Sequence, residues 1–226
     1  MAAAPVTSVD VALEDLQKWT NEHLTRDELI QSKQSFFERY GKVFPEDHFF
    51  DHWMHYFDCI HMFCDRYSSL NGLTPFEYWR LDAMKKISAE NLTYSSKNLL
   101  GFEHSLFQVL HSSNSEVVLR DFFQHSNFKV KARAHEIFDL LKKGEIFQSF
   151  LVHFDGGCYL GRGLIHHPGV LAHSLKKSFG QKRIIDEQIR ESILMRLSLT
   201  NLRHLQHKHV SPRDIYETAL SNLVFA

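Results

Sequence analysis

Asp155-Gly156-Gly157 separates two runs rich in Phe, Val, Leu, Ile and Tyr, so Glu145 to His167 reads as a β-hairpin. Two strands joined by so short a loop must pair antiparallel. The fold must then supply further strands or helices to cover them. A three-residue loop with Gly157 in the left-handed position pairs Phe154 with Cys158. It places Phe150, Val152 and Phe154 on one face with Cys158, Leu160 and Leu164. Two-residue loops would set Arg162 opposite Leu151 and His153, which favours the longer loop. Gly161 and Gly163 fall on the other face, where glycine marks a bulge or a close backbone approach.

Upstream, the pattern is helical. Residues 1–9 read as a flexible tail, and Val11 to His23 has the apolar spacing of a short helix. Thr25-Arg-Asp-Glu28 is a capping box that opens a helix ended by Gly41. From His48 to Tyr67, Phe49, Trp53, Tyr56, Phe57, Ile60, Phe63, Cys64 and Tyr67 share one broad helical face that must be core. Thr74-Pro75-Phe76-Glu77 starts another helix, with proline at its first position. The helical region therefore covers 10–90, and the polar stretch 91–104 reads as a linker.

Short strands follow at Ser105–Leu110, Glu116–Phe123 and Phe128–Ala132, ahead of the hairpin. In Asn127 to Lys131 the apolar and basic residues alternate, with Phe128 and Val130 inward. Residues 105–167 are thus expected to form a small antiparallel β-barrel or strongly twisted sheet. Helices at about Pro168–Phe179, Arg183–His204 and from Ser211-Pro212 onward close over it, which makes the fold class α+β.

A 43% hydrophobic and 23% charged chain of 226 residues has ordinary globular composition, and its 19 Phe imply substantial buried layers. Three cysteines make no disulfide framework, and the N-terminus carries acids where a secretion signal would be apolar. A cytoplasmic protein is expected. The net charge of −1 hides an asymmetry: residues 1–70 carry 12 acids against 6 Lys/Arg, whereas residues 124–213 carry 15 Lys/Arg against 7 acids. The two halves either attract one another or offer the basic half to an anionic partner.

His48, His52, His55 and Cys59 lie at i, i+4, i+7 and i+11 on one stripe, a spacing that lets imidazoles share a zinc ion. One straight helix cannot surround a metal, however, and no further ligand is identifiable, so no metal site is expected. No nucleophile elbow, P-loop or dinucleotide fingerprint occurs, so no catalytic residue or cofactor is expected. The candidate partner-binding residues are basic. Lys129, Lys131 and Arg133 lie along one strand edge, and Lys176, Lys177, Lys182 and Arg183 flank a short helix.

Phe37-Glu-Arg-Tyr-Gly-Lys-Val-Phe-Pro45 and Gly72-Leu-Thr-Pro-Phe-Glu77, ahead of a small barrel, resemble uncharacterised bacterial proteins. Some of these carry a C-terminal zinc-binding SEC-C motif, whose cysteines are absent here. The resemblance covers most of the chain and implies no activity. The leading expectation is a non-enzymatic protein-binding adaptor of the bacterial cytoplasm. RNA binding through the basic face of the barrel comes second, and a metal-dependent activity on the histidine stripe third.

Overall fold

A computed structural model describes residues 8–85, 98–133, 138, 141–169, 172–179, 183–207 and 209–221. Four helices come first: α1 (Ser8–His23), α2 (Arg26–Tyr40), α3 (Phe50–Phe63) and α4 (Pro75–Lys85). Six strands follow: β1 (Leu99–Ser112), β2 (Glu116–Asp121), β3 (Asn127–Lys131), β4 (Ile146–Phe154), β5 (Gly157–Leu160) and β6 (Ile165–His167). Helices α5 (Ala172–Phe179), α6 (Glu187–Gln206) and α7 (Pro212–Ser221) close the order. None of the described helices is long and apolar enough to cross a membrane.

Local chemistry sets the helix ends. The capping box at α2 is complete: Thr25 Oγ1 accepts from the Glu28 amide at 3.2 Å, and the Glu28 carboxylate accepts from the Thr25 amide at 3.0 Å. Thr74 and Glu77 repeat it at α4, at 3.1 and 2.9 Å. Asp186 caps α6 through the Ile189 amide.

The sheet is antiparallel, in the order β3-β2-β1-β4-β5, with β6 also pairing with β4. It curls until β3 and β5 approach each other, but no hydrogen-bonded ladder joins them. The expected barrel is therefore not closed. The five strands of that path alternate in direction, so its two end strands run parallel, and only a parallel ladder, which does not form, could have closed the sheet.

Both faces of β4 are buried, because the curl gives the sheet an inside as well as a helix-covered outside. Phe107, Val109, Leu119, Val130, Phe147, Leu151 and Leu160 fill the inside. Outside, Phe150, Val152 and Phe154 pack with Trp53, Tyr56 and Phe63 of α3, so one core joins the N-terminal helices to the sheet. Leu106 and Ile146 meet Leu175, Leu194, Leu197 and Tyr216 of α5–α7 in a second cluster.

The hairpin has a different register from the expected one. Phe154 pairs with Gly157 and His153 with Cys158, so the loop is the two residues Asp155 and Gly156. Both have positive φ, 47° and 68°, the mark of a type I′ turn whose twist matches that of the strands. Leu160 consequently shares a face with Leu151 rather than Val152. Arg162 is not forced inside, because β5 ends at Leu160. The arginine swings out and reaches Glu14 of α1 at 3.0 Å.

The strand β1 starts at Leu99, so residues 99–104, expected as linker, belong to the sheet. Phe102 and His104 face the helices there, while Glu103 pairs opposite Leu151. The segment 134–140, apart from Phe138, lies outside the described residues, as does 86–97.

Candidate functional site

The sheet meets the helices on either side of a buried hydrogen-bond chain. Gln148, in the middle of β4, is its centre. Its amide nitrogen donates to the Tyr56 hydroxyl at 2.9 Å and also meets the Ser198 hydroxyl. Tyr56 in turn contacts His104 Nε2 at 2.6 Å. The Gln148 oxygen can only accept, so His167 Nε2, 3.2 Å away, carries the proton. His167 Nδ1 faces the Tyr216 hydroxyl at 2.9 Å, and Tyr216 lies 3.2 Å from the Asn201 side-chain oxygen. Burial pushes both imidazoles down to about 3, so they are neutral and serve as fixed hydrogen-bonding groups. This chain ties α3, the sheet, α6 and α7 together.

At one end of it lies a largely apolar cleft of about 420 Å³. Phe49, which precedes α3, and Trp53 of α3 form one wall, Leu164 and Ile165 a second, and Leu205 of α6 a third. Phe138, Leu141 and Leu160 complete the apolar lining. Three polar side chains join it: His52, His166 and Asn201, the last being the terminal member of the buried chain. Partial desolvation holds His166 below the ordinary imidazole range; Glu145 pulls it up and neighbouring His52 pushes it further down. Both imidazoles present hydrogen-bonding edges at an otherwise apolar opening. Trp53 is buried, and its indole N–H has no partner in the structure.

The histidine stripe does not converge. His48, His52 and His55 are exposed, and His48 lies edge-on to Phe49. Buried Cys59 donates to the Arg162 carbonyl at 2.9 Å, and burial pushes its thiol up to about 12, the wrong direction for a thiolate ligand. No group of three or more His, Cys, Asp or Glu among the described residues is placed to hold a metal ion.

A second polar cluster resembles catalytic chemistry only in composition. Ser32 donates to Asp65 at 2.8 Å, lies 3.2 Å from His61 Nδ1, and accepts from Tyr67 at 2.9 Å. Asp65 is paired with Arg39 at 2.6 Å. In a nucleophilic triad the imidazole stands between hydroxyl and carboxylate; here the hydroxyl stands between the other two. The amides around Ser32 lie within α2, which leaves no oxyanion hole beside it. The cluster clamps α2 onto the end of α3.

The basic residues singled out from the sequence are scattered. Lys129 and Lys131 are exposed on β3 and line the seam beside β5, together with Glu116. Arg133 instead pairs with Asp10 at 3.1 Å. That bridge and Arg162–Glu14 join the basic part of the chain to acids of α1, so part of the charge asymmetry is used inside the fold. Lys176 and Lys177 lie on α5 with side chains outside the described residues, and Lys182 is also outside them. Arg183 is exposed and shares a different cleft with Arg190, which sequence reading did not single out. Phe128, beside the β3 lysines, packs inward near Phe107 and presents no platform for a base.

No protein-family model, curated protein or solved structure matches this chain.

Proposed function

We propose that the chain is a binding protein whose cleft between α3, β6 and α6 takes a small apolar molecule with one hydrogen-bonding head group. The carrying observation is the cleft itself: about 420 Å³, lined by eight apolar side chains, with His52, His166 and Asn201 as its polar residues. Sites for small ligands have this size, an apolar lining and a few orienting polar groups. Binding would draw on burial of the ligand's carbon surface, and the imidazoles would orient its head.

The test is a fluorescence titration with the uncharged dye N-phenyl-1-naphthylamine, followed by competition with apolar alcohols and carboxylic acids. Leu164→Trp, which fills the cleft, should weaken dye binding by about tenfold or more while leaving the unfolding midpoint near that of the parent. Equal binding by parent and variant would remove the cleft from consideration.

Docking of an acidic protein segment is a second reading, and one observation favours it. Lys129 and Lys131 stand exposed beside Leu100, itself 52% exposed, along the unpaired seam between β3 and β5. A labelled oligoglutamate peptide should bind the parent and lose affinity with Lys129→Glu plus Lys131→Glu, but not with Lys142→Glu plus Lys143→Glu. Identical behaviour of the two double variants would reject it.

A further inference from the structure

A cleft of about 440 Å³ opens between the turn that follows β2 and the start of α6. Its walls include Arg183, Arg190, Ser126 and His125. From this geometry we infer that it is a binding site for the phosphoryl group of a small phosphorylated molecule.

The walls are rigid, and polar atoms of Arg183, Arg190 and Ser126 on them lack partners among the described residues. On one side, Asp121 Oδ1 accepts from the amides of Phe123 and Gln124 at 2.6 and 3.0 Å, and His125 donates its amide to the Asp121 carbonyl. These bonds fix the turn that carries Ser126. On the other side, the Ile184 amide donates to the Phe123 carbonyl at 2.9 Å, and the Ile184 side chain is buried in the core. Anchored at 184, the chain presents its neighbours Arg183 and Ile185 outward.

Neither Arg183 nor Arg190 has an ion-pair partner among the described residues. Arg190 Nε and Ser126 Oγ are both buried without a hydrogen bond. Two guanidinium groups and a hydroxyl lining one cleft without partners are unfavourable alone, both from like charge and from lost hydrogen bonds. Asp186 is engaged as the cap of α6, and Asp121 is held beneath the turn with no bond from its second oxygen. Glu103 feels the Arg190 charge but forms no ion pair with it.

An anion with several terminal oxygens answers all of these groups together. A carboxylate has two oxygens, which one guanidinium fork satisfies. A phosphoryl group has three, enough for two forks and a hydroxyl. The body of the ligand has a surface of its own: Ile185 lines the same cleft and is 80% exposed. A nucleic-acid backbone fits less well, because the exposed lysines Lys129 and Lys131 line the seam and not this cleft. The ligand is therefore a phosphomonoester with an apolar or planar body.

The test is calorimetric titration of the full chain with phenyl phosphate and with inorganic phosphate. Arg183→Gln, at an exposed position that leaves packing intact, should weaken both probes by about tenfold, and Arg190→Gln by at least as much. Ile185→Ser should weaken phenyl phosphate alone. Lys129→Gln with Lys131→Gln should change neither. Absence of saturable binding by the parent, or undiminished affinity in Arg183→Gln, would overturn the site. So would a short single-stranded oligonucleotide that binds far more tightly than phenyl phosphate through these same arginines. The uncharged dye of the apolar cleft reports nothing here, so the two sites stand or fall separately.

Discussion

Gly163 lies backbone to backbone against Tyr56. A β-carbon at position 163 would stand 2.3 Å from the Tyr56 amide nitrogen and 2.5 Å from its Cα. The loop from β5 to β6 thus presses directly on α3 and sets the helix height over the sheet. Tyr56 is the residue that carries the hydrogen bond to Gln148. The Tyr56 backbone cannot yield without moving α3, and φ at Gly163 is +80°, where a side chain is strained anyway. Gly163→Ala should therefore destabilise by about 3 kcal/mol or more. Gly156→Ala, also at positive φ but with no neighbour within 4 Å, should lose only about 1 kcal/mol. Urea unfolding of the two variants checks the contrast, and similar losses would contradict the close contact.

The sequence pattern reads Gly161 and Gly163 as a bulge or a close approach on a strand face; Gly163 does make a close approach, but from the loop between β5 and β6. Legible were the capping box at Thr25, the aromatic face of α3 and the proline-led starts of α4 and α7, because each depends on residues within one or two turns. The turn register was not. It hinges on Asp155 accepting a left-handed backbone, and on β5 stopping at Leu160 so that Arg162 escapes. Closure of the barrel was also out of reach, since strand directions at the two sheet edges are a property of the whole order. Residues 99–104 hid as linker because Gly101, Glu103 and His104 break the apolar alternation. The clefts were least visible. Phe49 and Leu205 meet only in space, and Arg190 looks like any solvated helix residue until Ser126 is placed beside it.

Gln148 joins three structural groups through one side chain, so its removal should be felt in all of them. Gln148→Leu leaves the proton of His167 Nε2 without an acceptor and the Tyr56 and Ser198 hydroxyls without a donor, all buried. Each orphaned group costs about 1–3 kcal/mol, so a loss of roughly 3 kcal/mol or more is expected. Thr25→Ala, which breaks an exposed capping box, should lose only about 1 kcal/mol. Denaturant unfolding measures both. A Leu variant as stable as the parent would mean the buried chain contributes nothing net.

The buried histidines make stability depend on pH. His104 and His167 are held down to about 3 and His61 to about 4, in each case mainly by burial. Their folded values lie below the unfolded one, near 6.5. The unfolded chain therefore binds more protons than the folded chain below that pH. Stability present above about pH 6.5 is lost as the pH falls, by up to about 1.4 kcal/mol per unit for each histidine. His166 and His204 shift in the same direction. Asp58 and Glu103, raised by burial, push the opposite way, but only near the carboxylate range. A window between about pH 7.5 and 5.5 thus isolates the imidazoles. Urea midpoints measured across it should fall steadily with acid. His167→Gln should flatten the slope by up to about one proton at the acid end of the window, whatever it does to stability at neutral pH. A parent slope near zero in this window would show that the buried imidazoles take up protons in the folded state as readily as in the unfolded one.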